Sequence, residues 1–439
     1  MADNGTRESH ASPRLSLLLA LVFCFPTFLY AQTELSAGVR GTVTTATTGE
    51  RIPGARVVVD NEALRVRRET VANGEGEFSV GGLPPGADYR VSTSAEGFRA
   101  GEQQGLTLSS GGALAVNFTL EMRGVAESID ITDATQLVVS NAPEVSQVVS
   151  PRQVSELPSN GRSLNRFALL DPHVRNTGGL GSDGSAAQRL SVNANSYRQT
   201  YYKLDGNSNY DFVYANAPQQ QISLSTVQEF KVLTNQYSAE YGGSSAGIVS
   251  AVTKAGTGEF HGEGFYFLRP SGIQAAPPVA TGHVPNELQQ FGATLGGPFF
   301  SERATFFVNY ERTRQNRGSF VQSPAPLTFV GHFREQLGLA RLDFQLNPEH
   351  ALALRLNGNR STNDNSNDRV SGFLQPSAAQ ISRAQSAGAQ LTDRTVWGAS
   401  VNELRFSYVN SIPSASAAVA PQVSVVRPNY STTGGSAYS

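Results

Sequence analysis

Hydrophobic and polar positions along this chain follow four successive patterns. The first is one apolar run, Leu15 to Tyr30, preceded by Arg7 and Arg14 and closed by Ala31-Gln32. The second, from Gly38 to Leu120, alternates short apolar stretches with turn sequences. It predicts strands at Gly38–Thr44, Arg56–Val59, Glu77–Val80 and Tyr89–Ser94, with Ala113–Leu120 as a closing strand. Ile52-Pro53-Gly54-Ala55, Asn73-Gly74-Glu75-Gly76 and Leu83-Pro84-Pro85-Gly86 are the turns between them. Such spacing predicts a small sandwich around one core, with Phe78, Tyr89 and Phe98 packed in it or at its edge.

The third pattern is shorter and mixed. Val154–Leu157 and Arg162–Leu170 are apolar-periodic, and the latter predicts a helix capped near Gly161 and stopped before Pro172. Strands follow at Arg189–Ala194, Gln199–Leu204, Val227–Leu233 and Ala246–Thr253. After Lys254 several stretches alternate with period two. Ala304, Phe306, Val308 and Tyr310 oppose Arg303, Thr305, Asn309 and Glu311. Ala340, Leu342, Phe344 and Leu346 oppose Arg341, Asp343 and Gln345. Leu352, Leu354 and Leu356 oppose Arg355, Asn357 and Asn359, and Leu404, Phe406 and Tyr408 oppose Glu403, Arg405 and Ser407. In Glu259–Arg269, Phe265 and Phe267 share one side while Phe260, Tyr266 and Leu268 share the other. These lengths suit membrane-crossing strands of about 9–11 residues. Half-buried strands of a soluble sandwich alternate in the same way, so the period leaves both open. The polar stretches Ser271–Asn286 and Ser361–Arg394 read as long loops.

Composition narrows the compartment. The 439 residues have room for two or three domains. A formal charge of -2 with 16% charged residues carries no signature of nucleic-acid binding. The basic–apolar–small order of residues 1–31 predicts a signal peptide; the alternative is a single membrane anchor, which wants about 20 apolar residues. Cys24 is the only cysteine and lies in this leader, behind Phe23 where lipidation wants a small residue. The mature chain therefore offers no disulfide, zinc–thiolate cluster or thiol nucleophile. Export without disulfides or later membrane helices leaves a periplasmic, secreted or outer-membrane β-barrel protein.

Candidate chemistry is sparse. Asp205-Gly206 is a turn signal, because glycine accepts positive φ and aspartate bonds the following backbone; Asp205 is read as structural, not as a catalytic acid. Asp171, His173 and Asp183 have no metal-binding spacing, and no GxSxG elbow is present. The glycine-rich 178–184 lacks a phosphate-loop lysine. Between His10 in the leader and His173 there is no histidine, so the sandwich has no His-containing zinc site. No cofactor, metal or catalytic residue is assigned, and the chain is not read as an enzyme.

EFKVLTNQYSAEYGGSSAGIVSAVTKAGTGEFHGEGFYFLR, residues 229–269, resembles the plug-to-barrel junction of TonB-dependent outer-membrane receptors. The resemblance is to the Oar-like type, whose N-terminal domain is similar to the carboxypeptidase-regulatory-like, prealbumin-like sandwich. LPSNGRSLNRFALLDPHV and SVNANSYRQTYYKLDGNSNYD resemble the plug, and LQQFGATLGGPFFSERATFFVNYERTR an early barrel hairpin. It implies a mainly β chain: signal peptide 1–31, sandwich 32–122, linker 123–150, α+β plug 151–255 and the first strands of an incomplete transmembrane β-barrel, 256–439. Six or seven strand candidates follow Lys254, whereas such receptors carry about 22, so a fragment that does not transport alone is expected. Within the linker, Glu127, Ser128, Ile129, Asp130, Ile131, Thr132 and Asp133 resemble a TonB box, the strand captured by a periplasmic energy-transducing protein. An ordinary linker is the other reading. The implied role is active uptake of an extracellular solute across the outer membrane, in contact with its lipid, with the sandwich in the periplasm. Surface adhesion on the same scaffold and a soluble periplasmic carbohydrate-binding protein are the alternatives.

Overall fold

The computed structural model describes residues 36–433, apart from 124–144, 150, 158–161, 178–188, 212–216, 236, 238–240, 274–283, 322–326, 367–369, 371–373, 375, 399, 418–423 and 428–429. The leader and Glu127–Asp133 thus lie outside the described residues.

The N-terminal unit holds β1 (Ala37–Thr45), β2 (Arg56–Asn61), β3 (Val66–Val71), β4 (Glu77–Leu83), β5 (Gly86–Ser94), β6 (Gly101–Leu108), β7 (Ala113–Ala115) and β8 (Phe118–Leu120). One sheet runs β3-β2-β5-β6; the other runs β4-β1-β7, with β8 also on β1. Val39, Val43, Val57, Val59, Leu83 and Val91 are sealed between the sheets with Tyr89, whose hydroxyl donates to Pro84 O (2.7 Å). Phe78 is buried and Phe98 packs at the core's margin.

Two strands were not legible. β3 is an edge strand, VRRETV, and β6 begins with polar GEQQG; neither shows an apolar period. The expected single strand Ala113–Leu120 is instead two, β7 and β8. At the break, Asn117 Oδ1 takes the Thr42 N–H (3.0 Å) in place of a backbone carbonyl. Gly41 permits this crossing: a Cβ there would run into the Val116 carbonyl. Gly41→Val is therefore expected to destabilise the excised sandwich by about 2 kcal/mol or more, since backbone cannot step aside as a side chain can. Urea denaturation reads this, and an unchanged midpoint would show that the crossing yields.

The middle unit comprises β9 (Val145–Val149), α1 (Pro151–Glu156), β10 (Val174–Asn176), β11 (Leu190–Val192), β12 (Thr200–Leu204), β13 (Asn207–Ser208), β14 (Tyr210–Asp211), β15 (Ala217–Pro218), β16 (Val227–Asn235) and β17 (Gly247–Thr253). Its main sheet is ordered β13-β12-β17-β16-β9, with β12 and β17 parallel and β9 at an edge. Phe230, Tyr202, Leu190 and Leu204 fill the core. The helix expected over Arg162–Leu170 is a 3-10 helix, Leu164–Leu170. Ser163 makes no side-chain cap bond, so the first turn lacks the support that a capped helix has.

The third unit is one antiparallel sheet of consecutive strands: β18 (His261–Arg269), β19 (Asn286–Phe299), β20 (Ser301–Val321), β21 (Leu327–Asn347), β22 (His350–Asn363), β23 (Gln380–Trp397) and β24 (Ser400–Ala417). A separate hairpin, β25 (Ser424–Arg427) with β26 (Tyr430–Thr433), follows. Among the described residues the seven-stranded sheet is open, with β18 and β24 at its edges. Tight turns between β19 and β20, β21 and β22, and β23 and β24 lie at one end; the longer connections lie at the other.

Ser361–Arg394 is not a loop throughout. β22 runs on to Asn363, and β23 takes Gln380–Trp397, paired along its length with β22 and β24. Its alternation is carried by small residues, Ala387 and Ala389 on one face against Ser386 and Gly388 on the other, which give little hydrophobic contrast.

Burial decides what the period left open. The polar face is the covered one: Glu311 is 3% exposed, Arg355 6% and Asn357 6%, with Glu311 and Arg355 bonded to the middle unit. The apolar face is bare, with Leu404 at 68%, Phe406 at 71% and Tyr408 at 63%. A soluble sandwich would reverse this; a lipid-facing wall requires it. No described helix is long and apolar enough to cross a membrane.

Candidate functional site at the seam of the three units

Asp205 and Gly206 form a two-residue hairpin loop between β12 and β13, with φ of 46° and 73°. Two positive φ values define the twist that suits a tight hairpin, and Asp with Gly is a favoured pair for it. The turn carries the Asp205 carboxylate inward, where it accepts Thr253 N (2.7 Å), Thr253 Oγ1 (2.8 Å) and Arg355 Nη1 (2.5 Å). Arg341 closes the cluster by donating to Thr253 O (2.8 Å) while paired with Asp343 (2.9 Å). Gln390 Nε2 donates to the Asp205 carbonyl (2.8 Å). Burial pushes the Asp205 carboxyl up, but the Arg355 and Arg341 guanidiniums and the two Thr253 donors outweigh it and hold it below its ordinary value.

A second clasp sits farther along the wall. Arg162, at φ 50°, donates from Nη2 to Ser225 Oγ (2.7 Å), and its Nε lies 3.6 Å from Glu311 Oε1. Ser223 Oγ donates to the other Glu311 oxygen. The Arg162 guanidinium stacks 4.1 Å above the Phe265 ring, which joins the aromatic strand to the same clasp. Between the clasps, Asn359 Oδ1 accepts Gln221 N (3.2 Å) and the Ser386 hydroxyl.

The sandwich is docked at the tight-turn end. Glu229 of β16, 4% exposed, accepts both Ser110 N–H (3.0 Å) and the Ser110 hydroxyl. Gly258 N donates to Ala63 O (2.9 Å), and Arg65 Nη2 donates to Gly258 O (2.8 Å). Gly81 and Gly82 face Val401 and Val396 at the β23–β24 turn. Burial raises the Glu229 carboxyl above its ordinary value; the two Ser110 donors and Lys231 only partly oppose it. Where the three units meet they line a partly open cavity of about 480 Å³, walled by Pro84 and Pro85, by Val252 and Lys254, and by Arg355 and Arg394.

Asp205 and Gly206 are thus brought to the seam, with Asp205 serving as an anchor as well as a turn residue. Arg162, Glu229, Glu311, Arg341 and Arg355 were not singled out. Three of them stood in the sequence as charges on the polar face of alternating strands, a signal that marks a buried wall only when the other face is lipid-bound. Among the described residues no group of His, Cys, Asp and Glu is arranged to hold a metal ion. Asp171 and His173 pair with each other (2.9 Å), and Asp183 lies outside the described residues.

An inside-out sheet with a folded unit clasped to its polar face defines an outer-membrane protein of the β-barrel type. Residues 38–121 match the carboxypeptidase regulatory-like domain family, and residues 252–334 match an outer membrane beta barrel domain family. The chain is a homologue of the TonB-dependent transporter Oar of Myxococcus xanthus, with 26% identity over 370 residues, 74% of this chain and 33% of that protein. It therefore spans about a third of the length of this curated relative. Among solved structures it is similar to the outer membrane transporter YddB from Escherichia coli: 12% identity, 61% of this chain, 40% of that one and a TM-score of 0.48. The siderophore receptor PirA from Acinetobacter baumannii is similar at 14% identity, covering 61% of this chain and 40% of that one, with a TM-score of 0.46. The homology to Oar and the outer membrane beta barrel domain match place the chain in the outer membrane.

Proposed function

We propose that the chain supplies the plug and the first wall strands of a TonB-dependent receptor for active uptake of an extracellular solute. Residues 151–255 are the plug, 123–150 the coupling linker, and the sandwich faces the periplasm. The observation that carries this reading is the pair of buried ionic clasps, Asp205–Arg355 and Arg162–Glu311, which seat a separately folded unit on the polar face of a lipid-type sheet. The homologous TonB-dependent transporter supports the same reading.

Energy would enter at Glu127–Asp133, captured as an added strand by a periplasmic TonB-type protein. Only eleven residues separate Asp133 from Val145, the start of β9. β9 is an edge strand of five residues held to β16, so tension on the linker would reach it before any other part of the plug.

The mature chain is free of cysteine, which makes the test clean. A cysteine placed at Ile129 is expected to form a disulfide with a cysteine on the partner's capturing strand in native envelopes. Ile131→Pro should lower that yield about tenfold or more, because an augmented strand loses a backbone donor and its acceptor stays unpaired, at about 1–3 kcal/mol. Ile131→Ala should lower it far less. Equal yields for the unmodified and proline chains would make the segment an ordinary linker.

A further inference from the structure

Residues directly opposite one another on neighbouring strands share a face, so the pairing of β20 to β24 lays out the bare face of the sheet in rows. Three successive rows, which begin at Phe306, Val308 and Tyr310 on β20 and end at Phe406, Tyr408 and Asn410 on β24, hold no charged residue. The next two rows toward the long connections hold five arginines. Arg312 and Arg360 stand in the first of them, with Arg314, Arg334 and Arg383 in the second.

Arg314, Arg334, Arg360 and Arg383 are exposed and Arg312 is half-buried, whereas Thr313, Phe333 and Asn359, one residue along, are buried on the other face. No described carboxylate pairs with any of the five: on the same face, Glu287 accepts from Gln289 Nε2 (2.6 Å), and Asp364 is paired with His332 (3.1 Å). Arg314 lies directly opposite Arg334, a placement that destabilises a sheet unless an anion stands between the charges. All five are arginine and none is lysine, and the planar guanidinium fork matches phosphate oxygens two at a time.

We propose that this belt binds the phosphates of a membrane lipid whose headgroup carries two or more of them, seated in the leaflet at the long-connection end. The uncharged rows beside the belt would take its acyl chains. The arginines run from β20 to β23, three strand spacings or about 14 Å, in two rows about 7 Å apart, which is more than one phosphate spans. A long apolar stem lets each guanidinium reach the headgroup level from a lipid-facing wall. That leaflet is the outer one where the sandwich faces the periplasm, and the lipid site does not rest on the uptake reading.

Titration of the detergent-extracted full chain with diphosphorylated lipid A tests this, with lipid per chain read by mass spectrometry after gel filtration. Saturable retention is expected. Arg314→Gln combined with Arg334→Gln should raise the half-saturating lipid concentration about tenfold or more. Arg314→Lys with Arg334→Lys keeps the charge and loses the fork, so it should recover part of that loss, which a misfolded chain would not do. Arg56→Gln, on the exposed face of the sandwich, should bind as the unmodified chain does. Monophosphorylated lipid A should bind several-fold more weakly, and an excess of inorganic phosphate should leave the lipid in place. Absence of saturable retention, equal binding of the two lipids, displacement by inorganic phosphate, or unchanged binding by the paired glutamine variant overturns the proposal.

Discussion

Asp205→Asn is expected to loosen the middle unit from the sheet and raise hydrogen exchange in residues 250–256 by two orders of magnitude or more. The carboxylate is buried, accepts two donors from Thr253 and is paired with a buried Arg355. Removing one partner of such a pair strands the other, at about 3–5 kcal/mol, more than the pair adds when intact. Asparagine tolerates the left-handed conformation, so the turn survives and the effect reports the lost charge and the lost acceptor oxygen. Arg355→Gln should do the same damage. The double variant should lose less than the two single losses combined, because no unpaired charge remains. Unchanged exchange in Asp205→Asn would remove the clasp from the account of how the unit is seated.

The same pair has a pH signature. The folded Asp205 carboxyl lies below its unfolded value, so its contribution is present above the ordinary aspartate range near about 4. It is lost as pH falls through the depressed folded value. Protection of residues 250–256, relative to the intrinsic exchange rate at each pH, should therefore hold at neutral pH and fall only in strong acid.

Glu229→Ala is expected to free the sandwich from the middle unit, raising hydrogen exchange at Ser110 and in β16 at neutral pH. Two donors of Ser110 would lose their acceptor in a buried contact, at about 1–3 kcal/mol. Glu229→Gln should keep the contact, since an amide oxygen still accepts from Ser110 and no charge is buried. The pH dependence runs opposite to that of Asp205. Burial raises the folded Glu229 carboxyl, so its contribution is complete below the ordinary glutamate value and declines as pH rises through the folded one. Mild acid should tighten the sandwich before it weakens the Asp205 clasp. Exchange that is alike for the alanine variant and the unmodified chain would show that Ala63–Gly258 and the Gly81–Gly82 contacts suffice.

Period and turn chemistry alone established several features. The strands at Arg56, Glu77, Tyr89, Thr200 and Val227 were readable because local apolar spacing and turn residues set them. The Asp205-Gly206 turn was readable because few residue pairs accept two positive φ values. What depends on distant partners was not readable. β23 looked like a loop because its residues are small and polar, and it is a strand through its full-length pairing with β22 and β24. The 3-10 helix at Leu164–Leu170 stands where periodicity suggested a longer α-helix.

The largest gap lay in the direction of the faces. Alternation in β20, β22 and β24 defines two faces and is silent about which is covered, because a period of two is unchanged when a sheet is turned over. Only the tertiary arrangement places Glu311 and Arg355 against the middle unit and leaves Leu404 and Phe406 bare. The same arrangement turns Asp205 from a turn residue into an ion-pair partner, through an arginine 150 residues away in the chain. Charges so far apart in sequence carry no mutual signal until the fold brings them within hydrogen-bonding reach.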